Sequence, residues 1–95
     1  MDLYLIRRRH AFQPDGLEAA VARGKSEADK VPDQLRHIRS YLLNEDDGSL
    51  GTTCIYEATG PEAIRVHARA SGLPADEITT VANTAIARPD PGLAA

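Results

Sequence analysis

The order in which hydrophobic spacing changes along this chain narrows its fold more than any other feature. Leu3-Tyr4-Leu5-Ile6 is a dense apolar run of strand length, and from Leu17 onward Ala20, Val21, Gly24 and Ala28 recur at the three-to-four spacing of a helix. Leu35 to Leu43 and Leu50 to Ala58 return to strand character, the second with Thr52, Thr53, Ile55 and Tyr56, residues that suit a pleated, half-buried surface. The cluster Asn44-Glu45-Asp46-Asp47-Gly48-Ser49 between them is rich in turn formers and reads as a solvated hairpin tip. Ile64 to Ser71 is helical again, and Glu77 to Ile86, with Ile78, Thr79, Thr80 and Val81, supplies a fourth strand.

Punctuation residues agree with that division. Pro14-Asp15-Gly16 opens the first helix and Pro32 ends it. Thr59-Gly60-Pro61-Glu62 has the spacing of a capping box, and Gly72 with Leu73 and Pro74 behind it has the pattern of a glycine C-cap. The element order is therefore βαββαβ. Right-handed crossovers place both helices on one face of a four-stranded antiparallel sheet in the order 4-1-3-2, an α+β ferredoxin-like sandwich. Residues 1–87 make one domain, and the Pro/Gly/Ala tail 88–95, without periodicity, is expected to be poorly ordered or draped over a neighbour.

At 95 residues with 42% hydrophobic content the chain has material for one core, built from Leu, Ile, Val and Ala because it holds only four aromatic residues and no Trp. Two helices on one sheet face leave the other bare, which predicts a homodimer through the helix-free face. A net charge of −3 offers no field for nucleic acid. The run Arg7-Arg8-Arg9 alternates between strand faces and reads as a solvated strand end. No apolar stretch has the length of a membrane span and no leader is evident, so the protein is expected in the cytoplasm, in keeping with a single cysteine, Cys54.

Chemistry-bearing residues are few. His10, His37 and His67 are not spaced as any zinc or metalloprotease motif, although the end of strand one, strand two and helix two could bring them together in space. His67 falls on or beside the sheet-facing side of its helix, as a boundary histidine or as a ligand or general base. Cys54 and Tyr56 share one face of strand three, with packing the commoner role for a buried free cysteine. Tyr41 and Tyr56 offer polar handles to a pocket, and Glu57 ends the strand either toward a histidine or toward water. No catalytic triad, phosphate loop or dinucleotide fingerprint is present.

Several strings together, Tyr4-Leu5-Ile6, Ser40-Tyr41, Cys54-Ile55-Tyr56-Glu57-Ala58, Glu62-Ala63-Ile64-Arg65, His67-Ala68 and Gly72-Leu73-Pro74-Ala75, resemble the small bacterial nickel-binding-protein-like family, also known as domain of unknown function 4242. The resemblance runs from Leu3 to Ile86 and departs from the family pattern at Arg36, where an aromatic residue often precedes the histidine. It implies a ferredoxin-like fold, a homodimer and nickel binding, with Tyr41, Cys54, Tyr56, Glu57 and His67 as the matching site positions. Three functions stay open: a nickel-binding module using His67, His37, His10, Glu57 and Cys54; a cofactor-independent enzyme with a pocket between sheet and helices; and an interaction or sensory dimer without catalytic activity.

Overall fold

The computed structural model describes residues 1–92. Strands β1 (Asp2–Phe12), β2 (Leu35–Asn44), β3 (Leu50–Ala58) and β4 (Glu77–Thr80) form one antiparallel sheet in the order β2-β3-β1-β4. Read from the other edge this is the expected order 4-1-3-2. Helices α1 (Leu17–Asp29), preceded by a single 3-10 turn, and α2 (Pro61–Ser71) follow β1 and β3.

The pleat of β1 sets the core. Tyr4 and Ile6 point to the helix side, opposite Tyr56 and Cys54 of β3, and with Ala58, Leu35 and Ile64 they make a small buried cluster. Helix α2 presents Ile64, His67, Ala68 and Ser71 at intervals of three and four, all buried. It ends as expected: Gly72 adopts the left-handed conformation at φ 68°, and the Leu73 amide donates to the Ala68 carbonyl at 3.0 Å. Helix α1 buries only Ala20 and Ala28.

Several boundaries differ from expectation. β4 stops at Thr80 rather than Ile86, because its ladder to β1 ends where Tyr4 meets Thr80, two residues from the start of β1. No side-chain cap forms at α2: Gly60 occupies the N-cap position, and Pro61, with no amide proton, removes one of the donors that Thr59 and Glu62 would have satisfied. β1 runs on through the arginines to Phe12, so the run is not a solvated end. Arg8 continues the phase of Tyr4 and Ile6 and is 1% exposed. Arg7 faces the other way and binds Glu45 at 2.8 Å, a half-buried pair that holds the Glu45 carboxyl below its ordinary range.

In β2 the register shifts between His37 and Arg39, leaving Ile38 as an extra residue. The shift changes which parity faces the helices: Leu35 and His37 lie on the helix side before it, Ser40 and Leu42 after it. On the helix-free face the segment after β4 returns to the opposite edge, where Asp90 accepts from the Tyr41 hydroxyl and from Arg39, each at 2.6 Å. Part of the tail is thus tied to its own sheet; residues 93–95 lie outside the described residues.

Candidate functional site

A cleft of about 680 Å³ lies between α1 and the helix side of the sheet. It exists because α1 meets the sheet with small residues: Ala20, Gly24 and Ala28 line one wall, while Leu42 on the opposite wall stays 48% exposed. Phe12, Leu35 and Leu73 add apolar surface, and Arg8, His37, Ser40, Thr52, Cys54 and Tyr56 bring polar atoms from three neighbouring strands.

The polar atoms are mostly paired with one another. His37 Nε2 lies 2.7 Å from Ser40 Oγ, the Ser40 hydroxyl donates to Cys54 Sγ at 3.0 Å, and the Cys54 thiol donates to Thr52 Oγ1 at 3.2 Å. Because Ser40 has one proton and gives it to sulfur, it accepts from His37, which places the ring proton on Nε2. The Tyr56 ring stacks on His37 at 4.7 Å between centroids and meets His67 at 5.4 Å, so it stands between the two imidazoles. Burial pushes the Tyr56 hydroxyl pKa up, an effect the Arg8 guanidinium opposes.

Among the described residues two buried side-chain nitrogens have no partner: Arg8 Nη2 and His67 Nδ1. His67, 4% exposed, lies 2.9 Å through Nε2 from the Gly24 carbonyl. A carbonyl only accepts, so Nε2 carries the proton and Nδ1 keeps a free lone pair. Burial lowers the His67 pKa, the Gly24 carbonyl works against that, and Arg8 adds to it. His37 stands at the mouth with one side open to solvent; burial of its other side, with the like charges of His67 and Arg8, also lowers its pKa. Both rings are neutral near pH 7.

The remaining sequence-derived candidates are elsewhere. His10, at φ 47°, sits beside the hairpin tip, 3.2 Å from Asp47 and 3.0 Å from Ser49 Oγ. Glu57 is on the helix-free face, 3.4 Å from Arg36, and Tyr41 is on that face with Asp90. Among the described residues no three of His, Cys, Asp and Glu come together in a way that could hold a metal ion. Of the expected set, the fold brings His37, Cys54 and Tyr56 to the cleft, while His67 lies behind the Tyr56 ring and lines a separate recess of about 140 Å³ between α1 and α2.

Arg8 is the residue that sequence reasoning missed. Its signal was present: continuing the two-residue period of Tyr4 and Ile6 past the last apolar residue puts Arg8 inward.

Residues 4–81 match the profile of the nickel responsive protein SCO4226-like family. The chain belongs to the SCO4226-like family. Consistent with membership, the fold matches the crystal structure of SCO4226 from Streptomyces coelicolor A3(2) with a TM-score of 0.66 and 23% identity, covering 87% of this chain and 99% of that one. Rv0793 from Mycobacterium tuberculosis matches at a TM-score of 0.41 and 17% identity, over 93% of this chain and 100% of that one. No curated protein matches the chain. The matched SCO4226-like segment contains both helices, β2, β3, β4 and all of β1 from Tyr4 onward, and with them the residues that line the cleft.

Proposed function

We propose that this member of the SCO4226-like family is a small cytoplasmic protein that binds a transition metal, nickel by the family's description, with His67 as its principal imidazole ligand. The observation that carries the reading is the state of His67: a buried, neutral ring whose Nε2 proton is held by the Gly24 carbonyl while Nδ1 has no partner. Metal-ligating histidines are oriented in this manner, by a carbonyl or carboxylate on the far nitrogen, and a neutral imidazole suits nickel. The donor chemistry fits; a closed cage within one chain does not, since among the described residues no three of His, Cys, Asp and Glu come together. The proposal is therefore an open site anchored by His67, with affinity that weakens as the ring protonates. A homodimer through the helix-free face, where Leu3, Leu5 and Ile55 are only partly covered, belongs to the same reading.

The test is calorimetric titration of chelator-stripped, tag-free protein with Ni(II), Zn(II) and Cu(II), beside His67→Ala, with light scattering for the oligomeric state. Saturable nickel binding with whole-number stoichiometry, lost in His67→Ala, supports the site. Binding lost instead in His10→Ala moves the site to the hairpin tip, and absence of saturable binding refutes the metal reading.

A further inference from the structure

We infer that the cleft between α1 and the sheet takes a small organic monocarboxylate with an apolar body, its carboxylate received by Arg8. The inference goes beyond the metal reading and does not depend on it.

Arg8 is 1% exposed and lines the cleft. One of its terminal nitrogens donates to the Pro74 carbonyl, the other has no partner, and among the described residues it forms no ion pair. A guanidinium keeps its charge in a protein, and a buried charge without a counterion is a large cost that a fold does not retain for packing. The neighbouring charges do not answer it. Three cations line the cleft, Arg8, Lys25 and Arg36, against one carboxylate, Asp29. Lys25 takes Asp29 at 2.7 Å and Arg36 takes Glu57 at 3.4 Å, so Arg8 is left over.

The rest of the cleft says what kind of anion fits. Its volume, about 680 Å³, is that of a small-molecule pocket. Phe12, Ala20, Ala28, Leu35, Leu42 and Leu73 offer apolar contact and no second free cation. Phosphate or a dicarboxylate would bring more charge than Arg8 offsets and would desolvate it against hydrocarbon. A single carboxylate pairs with one guanidinium through charge-assisted hydrogen bonds, and Tyr56 lines the same cavity. A ligand with one charged end and an apolar body satisfies both parts. The space is open by sequence: a β-carbon on Gly24 would meet no atom within 4 Å.

The experiment uses the full, metal-free chain, so that failure of the nickel titration leaves it intact. Octanoate and phenylacetate are titrated calorimetrically beside octanamide and phenylacetamide, which keep the body and lose the charge, and beside octyl phosphate. The expected result is saturable one-to-one binding of an acid, at least tenfold tighter than its amide and than octyl phosphate. Arg8→Met should lose that preference while melting at or above the wild-type temperature, since it removes an unpaired buried charge; a purely structural arginine would lower it. If Arg8→Met does not fold, the acid-to-amide ratio in the wild type decides alone. Equal binding of acid and amide, tighter binding of the phosphate, no saturable binding, or an acid preference that persists in Arg8→Met would overturn the inference.

Discussion

Gly51 is the position where one added methyl group has the clearest consequence. It is buried on β3, and a β-carbon there would stand 2.6 Å from the Arg8 carbonyl oxygen and 2.6 Å from Arg7 Nη1, in hard contact with Glu45 Oε1 as well. The two side-chain ends can swing away. The Arg8 carbonyl cannot, because it belongs to the strand whose ladder to β3 holds the core together. Gly51→Ala therefore forces β1 to shift just where it delivers Arg8 to the cleft. Overpacking of this kind costs about 1–3 kcal/mol, and about 4–8 °C of melting temperature follows each kcal/mol in a domain of this size. Thermal and urea denaturation of Gly51→Ala, with and without Glu45→Ala, read the effect. We expect a fall of at least about 4 °C, equal in both backgrounds. A wild-type melting temperature, or recovery in the Glu45→Ala background, would refute the reasoning by placing the obstruction in a movable carboxylate rather than in the backbone.

Ile64, 1% exposed, anchors α2 on the sheet, and Ile64→Ala should cost about 2–5 kcal/mol in urea unfolding with an unchanged m value. Burial lowers the His67 pKa, so the unfolded chain takes the proton first: stability is full above about pH 6.5 and declines as pH falls toward the folded pKa. His67→Gln keeps a donor for the Gly24 carbonyl and should flatten melting temperature against pH between about 7 and 5; an unchanged slope would assign the effect elsewhere. Tyr41 and Arg39 hold the Asp90 carboxyl below its ordinary range, so Asp90→Ala should speed proteolysis between residues 81 and 92 with little change in melting temperature, and equal cleavage rates would deny the tether.

The fold was legible because hydrophobic period and punctuation agree along the chain: Leu50 to Ala58 and the Gly72 stop were read to the residue. The site was legible in part. His67 and Cys54 fall where their spacing puts them, at the sheet-facing stripe of α2 and the inward face of β3. Arg8 was not found, because a charged residue next to other charges looks solvated until the strand is known to continue beneath it. Ser40 joined the cleft through the Ile38 insertion, and a bulge leaves little trace in a single sequence: His37 and Ser40, three apart, share a face only once the register shift is known. The β4 end failed for a related reason. Val81 to Ile86 has strand composition, but a strand needs a partner: the Val81 amide still donates to the Leu3 carbonyl at 2.9 Å, and with β1 beginning at Asp2 little of it remains for the residues that follow.

The register shift in β2 also bears on how copies of this chain can meet. β2 is an outer strand, and an outer strand presents a row of open amides and carbonyls on which a second molecule can extend the sheet. The extra residue at Ile38 breaks that row near its middle, and the other outer strand, β4, is only four residues long. Neither border offers a straight template, so edge-to-edge polymerisation into a fibre is discouraged at both sides of the sheet.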